Sequence, residues 1–376
     1  MDVLYRYLSL PELITLAGVL LVIIIRILYV LLYRKVIYRA TSSEDPDLTP
    51  PLSVIVYACN DADYIKEYLP LILDQDYPRF EVIVVNDGST DETNEELKLL
   101  EKRYANLYHT YLPEEAKTQS RRKLALNMAL KASNYDWLVM TTANASPVSS
   151  EWLRSLARNM DDKADVVLAY SSLISSKTKG LYYRMDNLFF QLRYLSMAKK
   201  GKPYMGVGNN LAFRKSIYQQ RLFSGILNIP VGEDDIPVNR IANSENTRVE
   251  CSPGSVVRVH YQYLAKAWRE RKMGYALARK FYKNKSYRWW ELEPLFRYLF
   301  WILLIVSLTK GFFCNWLFAL LFVKFSLIYY VIYYFTINRL ARQFGEKRYG
   351  ISLIRREFSQ PFVDLFYKKK GRKYPC

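Results

Sequence analysis

The apolar run from Leu13 to Tyr33 limits what this chain can fold into more than any other feature. Its length is that of a transmembrane helix, which needs about 20 consecutive apolar residues. Arg26 is its only charged residue, and an arginine costs roughly 2.5–3.5 kcal/mol at the centre of an inserted helix. We predict a spanning anchor. A cleaved signal peptide is the alternative, but no small-x-small cleavage site follows the run.

Two further apolar runs lie near the other end of the chain. They cover Leu295 to Leu308 and Phe312 to Phe335, with Thr309-Lys310-Gly311 between them and Lys324 inside the second. We predict a helical hairpin in the membrane. A buried pair of soluble helices and a partly re-entrant first segment remain as alternatives, because the first run is short.

Positive charge gathers beside these apolar segments. The chain has 54 Lys and Arg and a formal net charge of +18, which indicates an anionic partner: nucleic acid, a phospholipid surface or phosphorylated substrates. The stretches 261–290 and 339–373 hold much of this excess, next to the predicted membrane segments. This placement favours anionic membrane lipids and excludes a nucleic-acid partner.

Basic residues also predict the orientation in the membrane. Arg34, Lys35 and Arg39 follow the first apolar run, and basic residues follow the last one. Positive residues stay on the cytoplasmic side, so we expect residues 34–294 and the C-terminus in the cytoplasm and the N-terminus outside. The sequence thus predicts a multi-pass protein of the inner (cytoplasmic) membrane.

Between the membrane segments, apolar runs alternate with helical patterns. After a polar linker at 34–51, LSVIVYACN and EVIVVNDGST read as strands, and each is followed by a helix. Such alternation predicts a parallel sheet, where ligands bind beyond the carboxyl ends of the strands. Those ends are expected at 58–61, 86–89 and 142–144.

Five blocks of the chain resemble, in order, the motifs of family 2 glycosyltransferases. They are LSVIVYACND, EVIVVNDGSTDET, RRKLALNMALKAS, YMGVGNNLAFRKSIY and GEDDIPVNRIA, and the resemblance covers about residues 51–290. It implies an α/β fold, the Rossmann-like GT-A nucleotide-diphospho-sugar transferase fold, with added transmembrane helices (one N-terminal, two C-terminal). The expected segments are 1–33 (N-terminal segment and anchor), 34–51 (linker), 52–260 (glycosyltransferase-like domain), 261–294 (basic amphipathic interfacial helices), 295–335 (transmembrane hairpin) and 336–376 (basic cytoplasmic tail).

The resemblance implies which residues bind the donor. They are Tyr57, Asn60, Asp61, Asp87, Lys123, Thr142 and Asn144. An acid at the end of a parallel strand is well placed to bond a ribose hydroxyl or a base edge, although Asp87 could serve only to stabilise its Asn-Asp-Gly turn. Likewise, Arg121, Arg122 and Lys123 could be a solvated charge cluster, while the family motif favours Lys123 facing the site.

Acceptor binding and catalysis are implied by two later blocks. Gly208, Asn209 and Asn210 match the acceptor-site strand, and Glu233, Asp234 and Asp235 match the Glu-Asp motif. Asp234 would be the general base that deprotonates the acceptor hydroxyl. The alternative is ordinary helix-start chemistry, since Pro237 follows closely.

A basic segment follows, with Trp268, Arg269 and Arg271 where membrane-bound members carry a Gln-x-x-Arg-Trp-like motif. The match is incomplete, because the glutamine and the order of residues differ. Two interpretations stay open: contact of Arg269 or Arg271 with the donor diphosphate, and a basic amphipathic helix on anionic lipid.

The stretch VMTTANASP at 139–147 departs from the family pattern. Thr142 and Asn144 stand where an Asp-x-Asp motif holds a divalent metal. Neutral oxygens are poor ligands for a hard cation, so we predict no protein-held metal site and at most a weakly held magnesium or manganese ion.

The sequence therefore predicts an inverting glycosyltransferase. It would move a sugar from a nucleotide-diphospho-sugar to a membrane-associated or cell-surface glycan or lipid-linked acceptor. The alternative is a catalytically silent relative that binds a nucleotide or a partner, which the loss of the two acids favours. The retained Asp87 and Glu-Asp blocks favour activity.

Overall fold

The computed structural model describes residues 9–39, 48–112, 120–175, 180–217, 229–313 and 316–372. Most of the predicted linker, residues 40–47, lies outside the described residues. The described chain begins with helix α1 (Leu10–Arg34). Strands and helices then alternate as β1 (Leu52–Ala58), α2 (Ala62–Leu73), β2 (Phe80–Asn86), α3 (Thr93–Arg103), β3 (Leu107–Tyr111), α4 (Arg121–Ala132) and β4 (Trp137–Thr142).

Short strands dominate the next part of the domain. The elements are β5 (Ala145–Pro147), α5 (Trp152–Ala157), β6 (Val166–Leu168), β7 (Ser171–Ile174), α6 (Leu181–Lys199), β8 (Leu211–Arg214), α7 (Asp235–Ile241), β9 (Thr247–Val249) and β10 (Val257–His260). One sheet has seven strands in the order β3-β2-β1-β4-β8-β6-β9, and another has three in the order β5-β10-β7. The fold is thus the mixed α/β fold that was predicted.

The central strands form because their residues are apolar on both faces. Along β1, every residue except Tyr57 is buried, as expected for a strand covered by helices on both sides. β1 pairs in parallel with β2 and with β4, which places Tyr57 opposite Thr142 and Ala58 opposite Asn86. The predicted parallel arrangement is confirmed, and three strand ends meet at one edge of the sheet.

Four helices complete the described chain: α8 (Leu264–Ala278), α9 (Arg288–Phe313), α10 (Trp316–Gln343) and α11 (Ser352–Arg372). Helices α1, α9 and α10 pack against one another. Three segments are long and apolar enough to cross a bilayer, namely Leu10–Arg34, Arg288–Phe313 and Ala319–Gln343. The prediction of one N-terminal and two C-terminal apolar helices is confirmed.

Some segment boundaries differ from the expected ones. The boundary at 294/295 falls inside α9, and α10 continues past residue 335. Most of the expected basic tail at 336–376 belongs to α10 and α11, and α11 packs against α8. Sequence charge was misleading here because Arg356, Glu357 and Gln360 of α11 are buried against the protein.

Arg26, the charge inside the first apolar run, is buried between helices. Its guanidinium pairs with Glu357 of α11 and donates to the hydroxyl of Tyr329 over 2.8 Å. It also lies 4.5 Å from the centre of the Phe300 ring. Charges in apolar segments usually face a protein partner in this way, which explains how α1 tolerates an arginine.

The outer face of α11 is apolar. Its exposed large side chains recur at helical spacing, at Ile354, Phe358, Phe362, Leu365 and Phe366, and are 44–67% exposed. The inward face carries the buried polar residues. A helix with its apolar side outward and its polar side inward, next to apolar helices of spanning length, has the pattern of a helix lying on a membrane surface.

Candidate functional site

Asp234 is held at the start of α7 by three hydrogen bonds. Its Oδ1 accepts from the backbone N of Asp235 over 2.8 Å, and its Oδ2 accepts from the backbone N of Gly208 over 2.7 Å and from the hydroxyl of Tyr275 over 3.2 Å. Burial, together with the neighbouring Glu233, raises the pKa of the Asp234 carboxyl above its usual range. A raised carboxyl pKa suits a group that must accept a proton near neutral pH.

The approach of Asp234 requires glycine at position 208. A Cβ added to Gly208 would lie 2.9 Å from Cε of Met140 and 3.1 Å from Cβ of Asp234. Any side chain there would push the carboxylate away from the sheet edge. The structure therefore brings Gly208 and Asp234, which belong to different sequence blocks, into direct contact.

A small cavity of about 50 Å³ lies at this sheet edge. Predicted site residues that line it are Tyr57, Thr142, Gly208, Asn209, Glu233 and Asp234. Thr142 Oγ1 and Asn209 Nδ2 are buried and have no hydrogen-bond partner in the described part of the chain. A ligand's polar groups could satisfy both atoms, so the cavity has the character of a binding site.

Asp87 lies at the end of β2 and is buried. It accepts a hydrogen bond from Arg121 Nε over 2.5 Å and another from the hydroxyl of Tyr57. These two donors hold the carboxylate beside the cavity wall. Asp87 therefore does more than stabilise its own turn, because it links β1, β2 and α4.

Asn60 and Asp61 shape the loop after β1. Asn60 has a left-handed backbone with φ of 53°, and its side-chain oxygen accepts from the backbone N of Thr90 over 2.8 Å. Asp61 accepts from the backbone N of Cys59 over 2.9 Å, and burial raises its pKa to about 6. Both residues lie at the strand-end edge as predicted, where these hydrogen bonds fix the loop.

At the basic start of α4, the residue that faces the cavity is not the one we expected. Lys123 is buried, its Nζ donates to the carbonyl oxygens of Ile229 and Val231 over 2.6 and 2.8 Å, and burial lowers its pKa to about 8. Arg122 instead lines the cavity, 3.4 Å from Glu233 and with its guanidinium 4.9 Å from the centre of the Tyr57 ring. The helix turns Lys123 inward and leaves Arg122 outward.

The stretch at 142–144 does not supply a metal site. Asn144 donates through Nδ2 to the backbone oxygen of His260 over 2.6 Å, so its side chain joins β4 to β10. Thr142 contributes one hydroxyl to the cavity. Among the residues that the structure describes, no three His, Cys, Asp or Glu side chains come together in a metal-binding group. The residues here do not fit a divalent cation held by strand-end carboxylates.

Two predicted residues belong to the core and not to the cavity. Asn210 is 1% exposed, and its side chain bonds the backbone oxygens of Tyr170 and Ser255 and the indole of Trp152. Asp235 is fully buried, bonds Tyr282, and has a pKa well above the usual range because of burial and the adjacent Asp234. Both hydrogen-bond sets direct these side chains into the protein.

The predicted site residues in the basic segment after β10 also lie in different environments. Trp268 is 7% exposed and donates from its indole to Asp186 over 2.7 Å, so it is buried in the protein and does not face lipid. Arg271 bonds Asn187 over 2.8 Å and lines a second cavity, of about 440 Å³. Arg269 is exposed and lines neither cavity.

Tyr275 was missed by sequence reasoning. It lines the second cavity and donates to Asp234, which lines the first. It thus stands between the two cavities. Its position on α8, two turns after Trp268 on the same face, is the one sequence signal that pointed inward.

Comparison with known proteins assigns the domain. Residues 53–222 match the sequence profile of Glycosyl transferase family 2. This part of the chain belongs to that family, which confirms the resemblance seen in the sequence blocks.

Curated relatives each match only part of this chain. A putative teichuronic acid biosynthesis glycosyltransferase, TuaG of Bacillus subtilis, is 38% identical over 21% of this chain and 32% of the relative. The probable glycosyltransferase YdaM of Bacillus subtilis is 26% identical over 46% of this chain and 42% of the relative. A dolichyl N-acetyl-alpha-D-glucosaminyl phosphate 3-beta-D-2,3-diacetamido-2,3-dideoxy-beta-D-glucuronosyltransferase of Methanococcus voltae is 30% identical over 26% of this chain and 30% of the relative. The chain spans less than half the length of each of these relatives.

A solved structure supports the fold over most of the chain. The mannosyltransferase PcManGT from Pyrobaculum calidifontis, in complex with GDP-Man and Mn²⁺, covers 89% of this chain and 98% of its own, with a TM-score of 0.55 and 20% identity. At this identity the likeness concerns the fold alone.

Proposed function

We propose that the family 2 glycosyltransferase domain of this chain is an active, inverting transferase. It moves a sugar from a nucleotide-diphospho-sugar to a membrane-associated or cell-surface glycan or lipid-linked acceptor. The observation that carries this proposal is Asp234: a partly buried carboxylate with a raised pKa, held by Gly208 and Tyr275 at the cavity on the strand-end edge.

The reaction is a single displacement at the anomeric carbon. Asp234 accepts the proton of the acceptor hydroxyl while the oxygen of that hydroxyl attacks the anomeric carbon. The new carbon–oxygen bond forms as the bond to the diphosphate breaks, and the nucleoside diphosphate leaves with the electron pair. Attack from the face opposite the leaving group inverts the anomeric centre.

The donor lies across the edge formed by β1, β2 and β4 in this proposal. Asp87, supported by Arg121 and Tyr57, bonds the ribose or the base. Arg122, which is exposed at the cavity, provides positive charge for the departing diphosphate. With about 50 Å³, the cavity receives only the part of the donor nearest the reacting carbon.

In this proposal the acceptor reaches the site from the membrane. Helices α1, α9 and α10 have the length and hydropathy of membrane spans. Two relatives support this direction by name: one is assigned to teichuronic acid biosynthesis and the other acts on a dolichyl-linked sugar phosphate. We propose that the protein resides in the cytoplasmic membrane, contacts anionic lipids, and has its catalytic domain on the cytoplasmic side.

A catalytically silent subunit is the second candidate. Thr142 and Asn144 favour it, since neither supplies a carboxylate for a metal, and Asn144 is engaged with His260. Such a subunit would bind nucleotide without turnover.

The test uses the purified, detergent-solubilised full chain. It is incubated with individual nucleotide sugars and a membrane-lipid extract, and released nucleoside diphosphate is measured. We expect release from at least one donor, with a product of inverted anomeric configuration by NMR. Tight nucleotide binding with no release from any donor would support the silent subunit instead.

A further inference from the structure

The cavity of about 440 Å³ beside α8 is rich in positive charge. It lies between α6, α8, α9 and α11 and is lined by seven basic and three acidic side chains. The acids already have partners: Asp186 and Asp364 pair with Lys272 at 3.0 Å, and Glu291 pairs with Lys368 at 2.8 Å. Arg193 also pairs with Asp364, at 3.5 Å, so the basic side chains of the lining outnumber its acids and share them.

Three arginines account for this excess. Within the described residues, Arg271, Arg279 and Arg356 make no ion pair with an acid. Arg271 bonds the amide oxygen of Asn187 over 2.8 Å, Arg279 lies over the Tyr287 ring at 5.5 Å, and Arg356 lies over the Phe189 ring at 3.5 Å. Arg271 and Arg279 are partly exposed and Arg356 is buried. An anion in the cavity could therefore pair with guanidinium groups that no carboxylate of the described residues contacts at ion-pair distance.

Unsatisfied donors point to the same missing group. Five lining residues have a buried nitrogen or hydroxyl without a hydrogen-bond partner in the described part of the chain: Arg193 Nε, Arg279 Nε, Arg356 Nε, Trp290 Nε1 and Tyr298 OH. Arg356 and Trp290 are 1% and 4% exposed. All five atoms can donate, and such a set fits an anion with several acceptor oxygens, as a phosphate has.

The rest of the lining is apolar and reaches the predicted lipid face. Leu295 of α9 and Leu365 of α11 line the cavity and are 61% and 53% exposed, and Pro294 and Pro361 lie beside them. Leu365 also belongs to the outward apolar stripe of α11. The cavity therefore joins an anion-binding interior to a surface suited to a hydrocarbon chain.

Tyr275 connects this cavity to the reaction. It is part of the lining, and its hydroxyl donates to Asp234 over 3.2 Å. A ligand bound here would lie one side chain away from the proposed base.

We propose that this cavity binds the phosphate group of a lipid-anchored acceptor, with the guanidinium groups of Arg271, Arg279 and Arg356 around the phosphate and the lipid chain along Leu295 and Leu365. The inference rests on the proposed function and narrows its acceptor to a phosphate-bearing lipid. Free phosphate is the other source of the same chemistry, and the experiment separates the two.

Binding is measured by titration calorimetry on the full chain in a neutral maltoside detergent without any donor. The probes are monododecyl phosphate, inorganic phosphate and dodecanol. We expect monododecyl phosphate to bind at least about tenfold more tightly than either of the other probes, because it alone combines the charge with the chain.

Arg271→Gln and Arg279→Gln test the cations. Each should weaken monododecyl phosphate binding by about tenfold or more, the usual effect of losing a charged hydrogen bond. Lys266→Gln is the matched control, since Lys266 is an exposed cation of α8 outside the cavity, and it should leave the Kd within about twofold. Two arginine variants are tested, so that the misfolding of one of them would not decide the result.

Three results would overturn the proposal. Equal binding of inorganic phosphate would assign the cavity to a soluble anion, and equal binding of dodecanol would show that the phosphate contributes nothing to binding. Unchanged affinity in a folded arginine variant would place the probe elsewhere. Because no donor is present, failure here leaves the turnover screen unaffected, and loss of turnover leaves this binding result standing.

Discussion

The hydroxyl of Tyr275, on a helix that follows the sheet domain, donates to Oδ2 of Asp234 over 3.2 Å. The same oxygen accepts from the backbone of Gly208. The carboxylate is thus held from two sides, by the sheet edge and by α8. This arrangement leads to the first two predictions.

Asp234→Asn should lower turnover by roughly 10² to 10⁴, the usual contribution of a positioned acid–base group. Nucleotide affinity should change little, because the proposed donor contacts lie at Asp87 and Arg122. Turnover and calorimetric binding are measured on the same preparation. Retained turnover would place the base elsewhere, and Glu233, the other carboxylate in the cavity, would be changed next.

Tyr275→Phe should move the rising limb of the rate–pH profile to higher pH. Burial already raises the Asp234 pKa, and the tyrosine hydroxyl bonds the ionised form, so removing it raises the pKa further. The base would then be ionised only at higher pH, and kcat at low pH should fall more than kcat at high pH. An equal loss at every pH would mean that Tyr275 acts only on packing.

Asp87→Asn should weaken nucleoside diphosphate binding by roughly tenfold or more, as expected for a lost charged hydrogen bond. Asp63→Asn, which changes an exposed acid on α2, is the matched control and should bind normally. Calorimetry gives both affinities, and thermal unfolding checks the fold. Normal affinity in a folded Asp87 variant would limit Asp87 to holding Arg121 and Tyr57.

Nucleoside diphosphate binding by the unaltered chain should depend only weakly on magnesium or manganese, because Thr142 and Asn144 supply no carboxylate. The double change Thr142→Asp and Asn144→Asp should introduce metal-dependent binding and, without metal, weaken binding of the diphosphate. Calorimetry with and without manganese measures both effects.

The structure adds a control to this experiment. Asn144→Asp removes the donor that bonds the His260 oxygen, so the double variant should unfold at a lower temperature than Thr142→Asp alone. Strong manganese dependence in the unaltered chain would contradict the prediction and place the metal on other residues or on the nucleotide.

A reporter enzyme inserted at Lys310 should be active only outside the cell, and one fused after the last residue only inside. The reason is the basic residues that follow the first and last apolar runs. The control is a reporter within the sheet domain, which should also read as internal. An external C-terminus would rule out the three-span arrangement.

Local pattern was enough to predict the class of fold. The continuous apolar residues of β1 and β2 and the helical spacing of apolar residues along α2 predict a parallel sheet from local sequence alone. The three apolar helices follow in the same way from length and hydropathy. Gly208 and Asp234 were named from their motifs, and the structure places them in contact.

Other features depend on which side of an element meets which neighbour. Lys123 and Arg122 are adjacent in a basic run, and only the packing of α4 decides that the first is buried and the second lines the cavity. Asn209 and Asn210 are also adjacent, and only the packing of their own segment decides that Asn209 lines the cavity and Asn210 is buried in the core. Sequence charge cannot separate such pairs, because it carries no information about rotation within the fold.

The sequence by itself determined the alternation of strands and helices, the apolar helices and the motif residues, since these follow from local periodicity and residue type. Only the tertiary structure decided that Arg26 meets Glu357, that Ser352–Arg372 is a packed helix, and that Tyr275 joins two cavities. Those contacts bring together residues far apart in the chain. Their energies come from burial and pairing that no local stretch contains.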